Sequence, residues 1–179
     1  MISAVDLIDF WRAAGPERWF AKDLVFDQEI VTRFGELPDQ IVEGAYAEWQ
    51  DSAEGMLALI LALDQFPRNM FRGTPKSFAF DERARGLARS VIERGLDQQI
   101  DVPLKPFFYL PFMHSEVLED QYLCLELYQK INDQSGADYA QRHLDLIERF
   151  GRFPHRNEIL GRRSTEEELR YLQEGNAGF

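Results

Sequence analysis

The segment DERARGLARSVIERG, residues 81–95, decides the fold class. Its apolar side chains recur at intervals of three and four residues, which places them on one face of an α-helix; they are Ala84, Leu87, Ala88, Val91 and Ile92. Gly95 follows the last of them, at the position where a glycine commonly ends a helix. The segment therefore predicts an amphipathic helix that ends just before Gly95.

The same helical spacing extends over most of the chain. It recurs in residues 140–150, which Gly151 follows, and Thr165 with Glu168 has the pattern of a capping box at the start of a last helix. No run alternates apolar and polar residues for long enough to indicate a strand, and no composition shift indicates a linker. The sequence predicts an all-α protein, a single domain over residues 1–179 with about eight helices.

The composition excludes several classes of protein. The 179 residues include 31 Asp and Glu against 20 Lys and Arg, and the net charge of −11 argues against a general nucleic-acid binder or a protein held on an anionic membrane. The longest apolar run, Met56–Leu63, is far shorter than the roughly 20 residues of a membrane-spanning helix, and it predicts a helix buried on every side. The single cysteine, Cys124, is expected in the core and fits a reducing compartment. With no secretory signal visible, we expect a cytoplasmic protein.

Two similar segments stand out along the chain, Phe66-Pro67-Arg68-Asn69 and Phe153-Pro154-His155-Arg156-Asn157. We call residues 66–69 the first Phe-Pro segment and residues 153–157 the second. One interpretation is a repeated turn that takes the chain out of a helix, because proline cannot continue helical hydrogen bonding. The other interpretation is a pair of loops that meet to form one site.

The distribution of charge bears on the second interpretation. Residues 66–94 carry a net charge of +4 and residues 142–163 a net charge of +3, which leaves −18 on the other 128 residues. Arginines can bind a carboxylate or a phosphate through two parallel hydrogen bonds. The sequence thus predicts a module that binds a peptide or a small acidic ligand through Arg68, Asn69, Arg152, Arg156 and Asn157. The alternative is that these arginines pair with acids of the protein itself.

A small hydrolase is the alternative function, and four residues are candidates for its acid–base catalysis: His114, Glu116, Asp64 and His155. His114 and His155 lie in proline-interrupted segments beside charged residues. Asp64 is an isolated acid on an apolar helix, and it is either a general base or a strut paired with an arginine, namely Arg68, Arg152 or Arg156. His143 lies on the apolar face of its helix and is expected to be a core residue.

No motif for a cofactor or a metal is present in the sequence. There is no glycine-rich phosphate-binding loop, no HExxH, no CxxC and no GxSxG. We therefore predict a protein without a cofactor and without a metal site.

Three longer motifs resemble one bacterial family. They are LDQFPRN at residues 63–69, YLPFMHSE at residues 109–116 and RFGRFPHRN at residues 149–157. The family is domain-of-unknown-function family 924, and the resemblance extends from Phe10 to Glu167. It implies stacked antiparallel helical hairpins similar to those of tetratricopeptide-repeat proteins, and it implies no activity. Because the sequence shows no 34-residue period, that likeness is expected in the fold and not in repeated sequence.

Overall fold

The computed structural model describes residues 2–175, and every regular element in this range is helical. The prediction of an all-α protein is confirmed. The α-helices are Ala4–Ala14 (α1), Pro16–Trp19 (α2), Leu24–Phe34 (α3), Leu37–Val42 (α4), Ala53–Ile60 (α5), Phe66–Met70 (α6), Asp81–Glu93 (α7), Leu110–Met113 (α8), Leu118–Lys130 (α9), Gln134–Phe150 (α10) and Glu166–Gln173 (α11). These eleven helices within residues 2–175 exceed the predicted number of about eight, because α2, α4, α6 and α8 span only four to six residues and are too short to show a hydrophobic period.

The chain forms two compact units. The first unit comprises the residues up to Arg72 together with Lys76–Pro111, and the second comprises Gly73–Pro75 together with the residues from Phe112 onward. The prediction of a single domain stays a prediction.

The core of the first unit is built around α5. The apolar run Met56–Leu63 is at most 1% exposed at every position, which confirms the prediction of a helix buried on all sides. Helices α1 and α7 pack against α5. Aromatic rings fill the space beside α1, where Trp11 lies 5.7 Å from Phe66 and 5.8 Å from Phe26 between ring centroids. Burial of such large apolar side chains is the main favourable contribution to folding.

The first Phe-Pro segment is helical, so the prediction of a helix-exit turn is wrong for this segment. A π-turn, Leu61–Gln65, joins α5 directly to α6, and the Phe66 N–H donates to the carbonyl of Leu61. Pro67 then lies in the first turn of α6, where a residue without an N–H leaves no helical bond unmade. The widened turn lets the helix continue past the proline to Met70.

The second unit contains the helical hairpin α9–α10. Its short connection ends at Asp133, whose side chain caps α10 by accepting a hydrogen bond from the Gly136 N–H at 2.9 Å. Cys124 is fully buried and His143 is 7% exposed, so both predictions of core residues are confirmed. No helix within residues 2–175 has both the length and the apolar character needed to span a membrane.

The second Phe-Pro segment leaves its helix as predicted. Helix α10 ends at Gly151, whose φ of 67° lies in the left-handed region that favours glycine. A 3₁₀ turn, Pro154–Arg156, follows, and the chain then runs through residues 157–164 to α11. The predicted capping box is confirmed at the start of α11, because the Thr165 side chain accepts from the Glu168 N–H and the Glu168 side chain accepts from the Thr165 N–H.

Candidate functional site

The second Phe-Pro segment borders an open groove between residues 154–164 and α11. The groove has a volume of about 770 Å³ and lies entirely within the second unit. We call it the second-unit groove. Its side chains fall into an apolar group, a basic group and an acidic group: Pro154, Leu169 and Leu172; His155, Arg162 and Arg163; Glu158 and Glu166. His155 is therefore the predicted site residue that lines this groove.

Arg162 ties the floor of the groove to Glu116. Its guanidinium donates to both carboxylate oxygens of Glu116, at 2.6 and 3.0 Å, and also to the carbonyl of Phe153 at 3.1 Å. The Phe153 N–H donates to the same carboxylate at 2.8 Å. The Arg162–Glu116 pair therefore fixes the backbone at the start of the second Phe-Pro segment.

The contacts of Glu116 decide its protonation state. Burial alone would raise the pKa of Glu116, but hydrogen bonds from the Arg162 guanidinium and the Phe153 N–H bring the pKa below its usual range. Glu116 is therefore an ionised acceptor at neutral pH. This suits a structural anchor better than a general acid.

Arg163 differs from its neighbour Arg162 in having a free side chain. Arg163 is exposed, and its guanidinium makes no ion pair and no hydrogen bond with any other residue in the range 2–175. Its backbone is fixed, because the Arg163 carbonyl accepts from Arg152 Nη2 at 3.0 Å. Arg163 thus presents a positive charge to the groove from an anchored position.

Arg152 and Asn157, both predicted ligand-binding residues, brace α11. Arg152 donates to the two carboxylate oxygens of Glu168 at 2.6 and 2.8 Å, and these bonds are the largest cause that lowers the pKa of Glu168 to about 2. Asn157 is 1% exposed and donates from Nδ2 to the Ser164 hydroxyl at 3.0 Å. Both side chains therefore hold the walls of the groove in place.

His155 and Arg156 flank the buried ring of Phe153. The Arg156 guanidinium lies 4.6 Å from the ring centroid, and the His155 ring centroid lies 5.6 Å from it. Arg156 is itself 7% exposed. Burial lowers the pKa of His155 to about 4, and the charge of Arg156 acts in the same direction. His155 is therefore neutral at physiological pH.

The other two histidines lie in the same neighbourhood of the second unit. His143 Nδ1 is 2.8 Å from the carbonyl of Tyr139, and its ring is 5.5 Å from that of Phe153. Burial lowers the pKa of His143 to about 3, and the charge of His114 also acts on both His143 and His155. The structure thus brings the candidates His114 and His155 into one electrostatic environment.

In the first unit, Arg68 and Asp64 are joined in an ion-pair network. Asp64 is fully buried and its carboxylate lies 3.3 Å from the Arg68 guanidinium. Arg68 also binds Asp81 through two parallel bonds of 2.8 and 2.9 Å. Of the three arginines predicted as partners of Asp64, Arg68 is thus in place, and the pair has the geometry of a strut.

Asn69 belongs to a second polar network of the first unit. Its Nδ2 donates to Asp27 Oδ1 at 2.8 Å, and Arg72 binds the same carboxylate at 2.6 and 2.9 Å. Asp27 and Asn69 are 7% and 6% exposed. These contacts attach α6 to α3 inside the first unit.

Within residues 2–175, no group of three or more His, Cys, Asp or Glu side chains is arranged to hold a metal ion.

Two groove residues, Arg162 and Arg163, were not among the predicted ligand-binding residues. They lie in the run Gly161-Arg162-Arg163-Ser164, which follows the second Phe-Pro segment, and they are the last two residues of the basic stretch 142–163. Two adjacent arginines after a glycine were the available signal. Sequence alone could not tell which of them has a carboxylate partner, since Glu116 is 46 positions from Arg162 in the chain.

The fold and the groove define an all-helical protein with a polar, arginine-bearing surface groove. The chain belongs to the family described as bacterial protein of unknown function (DUF924), whose model matches residues 7–176 and confirms the resemblance found in the sequence. It is similar to a solved structure, that of the protein of unknown function ATU0120 from Agrobacterium tumefaciens, with 46% identity and a TM-score of 0.93 over 96% of this chain and 97% of that chain. Among curated proteins, none matches this chain.

Proposed function

We propose that this protein is a binding module and that its second-unit groove binds an acidic ligand, a peptide or small molecule that carries a carboxylate or phosphate. The observation that carries the proposal is the side chain of Arg163, which lines the groove without an ion-pair partner among residues 2–175. An unpaired guanidinium can form a bidentate pair with such a group without the loss of an existing ion pair.

The arginines elsewhere support this choice by contrast. Arg68 and Arg72 are already bound by carboxylates of the first unit, and Arg152 by a carboxylate of the second. A ligand anion would have to displace those acids, and the displaced carboxylates would then lose their partners. Arg163 has no such competitor among the described residues. Direct ligand contacts by Arg68, Asn69, Arg152, Arg156 and Asn157 stay a prediction, and the proposal depends on Arg163.

The groove also has the features of a site for a peptide. Leu169 is 47% exposed on the α11 wall, and Pro154 and Leu172 add apolar surface beside it. A volume of about 770 Å³ is within the range of roughly 300–1,000 Å³ typical of small-ligand sites. A segment with an acidic residue next to an apolar one would match both the charge and the apolar wall.

Binding is favoured over the alternative of a small hydrolase by the state of the candidate catalytic groups. A general base works best when its pKa is near the working pH, and the pKa of His155 is about 4. Glu116 has both carboxylate oxygens bound by Arg162. Neither residue is arranged to exchange a proton readily near neutral pH. A hydrolytic role for His114, His155, Glu116 and Asp64 stays a prediction.

Stacked helical hairpins like those of tetratricopeptide-repeat proteins would suit this function, because such folds present a groove to a partner. The α9–α10 hairpin followed by α11 beside the groove supports that part of the proposal. It remains a prediction about architecture that is separate from the binding test.

The test is a titration of the full chain with inorganic phosphate or with succinate. Binding of each probe is measured by the changes in backbone amide NMR chemical shifts. We expect saturable shifts at Ser164 and at its neighbours in the groove. Arg163→Gln should weaken binding of both probes about tenfold, which is the effect of losing one charge-assisted pair worth about 1.4 kcal/mol.

The matched control is Arg142→Gln. Arg142 is an exposed arginine of the same unit that lies over the Tyr139 ring and does not line the groove. It removes the same charge, so it corrects for the general attraction of anions. If Arg142→Gln weakens binding as much as Arg163→Gln, or if the wild-type shifts do not saturate, the proposed site is wrong.

A further inference from the structure

A second, smaller cavity lies wholly within the first unit, beneath the loop that connects α4 to α5. Its volume is about 110 Å³. Its inner wall is formed by Ile41, Leu59 and Leu87, which are 4%, 1% and 5% exposed. The loop contributes Gly44, Ala45, Tyr46 and Ala47, and the side chains of Gln50 and Arg83 complete the lining. The cavity is thus apolar inside and polar at its edge.

Two polar side chains at this edge are available to a ligand. Arg83 is exposed on α7, and its guanidinium makes no ion pair or hydrogen bond with any other described residue of the range 2–175. Gln50 is half-buried, and its side-chain amide likewise has no hydrogen-bond partner among those residues. A guanidinium and a carboxamide that line one cavity with an apolar wall match a ligand with a carboxylate head and an aliphatic tail.

The loop over the cavity is held in a fixed and strained conformation. Tyr46 has a φ of 61° and a ψ of 27°, in the left-handed region that non-glycine residues rarely occupy. Its ring packs against Trp49 with a centroid distance of 4.6 Å. The turn that follows sits directly on α5, because a Cβ atom at Gly55 would lie 2.0 Å from the carbonyl oxygen of Trp49. The strained residue therefore lines a cavity that is already formed, which is where backbone strain is characteristically retained.

The size of the cavity limits the ligand. A cavity of about 110 Å³ is well below the roughly 300–1,000 Å³ of typical small-ligand sites, so it suits a chain of only a few carbon atoms whose carboxylate stays at the exposed Arg83. Longer chains would have to displace Leu59 or Leu87, which are packed in the core.

From these observations we propose that the first unit binds a short-chain aliphatic carboxylate, of the propionate and butyrate class, with Arg83 as the carboxylate contact. This site does not depend on the second-unit groove. It differs from that groove in requiring an apolar tail of limited length. A phosphate ion could pair with Arg83 but has no apolar tail to place against the inner wall of the cavity.

The experiment is a titration of the full chain with acetate, propionate, butyrate and hexanoate. Binding is measured by the changes in the backbone amide NMR chemical shifts of Gly44, Ala45 and Ala47. We expect the affinity to rise from acetate to butyrate, to a Kd on the order of 1–10 mM, and to fall for hexanoate. Arg83→Gln should weaken butyrate binding by about tenfold, and butyramide, which has no charge, should bind to a similar reduced extent.

Two further variants make the result specific to the cavity. Ala47→Leu keeps every charge and fills the cavity, so it should abolish the shifts. Lys22→Gln removes one exposed positive charge of the same unit outside the cavity, and it should leave butyrate binding unchanged. Affinity that is independent of chain length, or equal in wild type and Arg83→Gln, would overturn the proposal. Arg163→Gln should have no effect here, which separates failure of this site from failure of the groove.

Discussion

The two Phe-Pro segments have nearly the same residues and different structures. In the first unit, Phe66-Pro67-Arg68-Asn69 is a helix, and its arginine and asparagine bind buried aspartates. In the second unit, Phe153-Pro154-His155-Arg156-Asn157 forms a 3₁₀ turn beside a groove. The difference shows that a proline does not by itself end a helix. What precedes the proline decides the outcome.

The preceding residues differ in a way that explains the result. Ahead of Pro67 every residue from Gly55 to Phe66 is buried, and a π-turn at Leu61–Gln65 carries the helix past the proline. Ahead of Pro154 stands Gly151 in a left-handed conformation, which ends α10 before the proline is reached. The first segment therefore continues a buried helix, whereas the second forms a turn outside the α-helices, where His155 lines the groove.

Arg68→Met should have the largest effect on stability and would test the structural role of the first segment. The substitution leaves Asp64, which is fully buried, and Asp81 without the guanidinium that both carboxylates contact. Breaking a buried ion pair in this way costs about 3–5 kcal/mol. We expect that loss in the free energy of unfolding, measured by urea denaturation at pH 7. The double variant Arg68→Met with Asp64→Asn should recover part of it, since one of the two stranded charges is then gone; a loss below about 1 kcal/mol would contradict the strut.

The two units should also differ in their response to acid, because all three histidines of the chain lie in the second unit. Burial lowers the pKa of His143 to about 3 and that of His155 to about 4, against 6.5 in the unfolded chain. The unfolded state therefore binds protons first. The contribution of each buried, neutral histidine to the free energy of unfolding is therefore complete above pH 6.5. It decreases as the pH falls from 6.5 towards 4, by up to about 1.4 kcal/mol per pH unit for each histidine.

Amide hydrogen exchange at pH 7, 5.5 and 4.5 measures this difference directly. Protection should decline first in α10, which carries His143, and later in α5. His143→Leu should remove much of the decline in α10, because a leucine does not titrate. Equal loss of protection in α5 and α10 over this range, or no change in the His143→Leu variant, would show that the histidines do not set the acid sensitivity.

The sequence predicted the elements that depend on local patterns. The stripe on α7, the buried run around Met56, the end of α10 at Gly151 and the capping box at Thr165 all follow from spacing over a few residues. The π-turn before Phe66 could not be predicted this way, because it depends on how the helix packs. The short helices α2, α4, α6 and α8 were not predicted, because four to six residues are too few to show a hydrophobic periodicity.

The candidate site could be predicted only in part. The second Phe-Pro segment and its charge pointed to the stretch of the chain that borders the groove, and His155 lines that groove. Which arginine keeps an unpaired side chain is set by distant acids, since Glu116 takes Arg162 and Glu168 takes Arg152. Such pairings connect residues 16 and 46 positions apart, so no local pattern reveals them.

Thr165→Ala should have a moderate effect confined to the second unit. The substitution removes the hydroxyl that accepts from the Glu168 N–H and so breaks the capping box of α11. Loss of an N-cap costs about 1 kcal/mol. We expect that decrease in urea denaturation, and Thr165→Ser, which keeps the hydroxyl, should restore it. A Thr165→Ser variant as unstable as Thr165→Ala would place the effect in packing of the methyl group.

Arg163→Met should have the smallest effect on stability and the sharpest contrast with Arg68→Met. The Arg163 guanidinium has no ion pair with the described residues, so its removal strands no carboxylate, and the free energy of unfolding should change by less than about 0.5 kcal/mol. The same substitution should nonetheless weaken the binding of succinate by the second-unit groove about tenfold, as Arg163→Gln does. A loss of stability as large as that of Arg68→Met would mean that Arg163 is also a structural residue. The two Phe-Pro segments and the residues that follow them would then differ in backbone conformation and not in function.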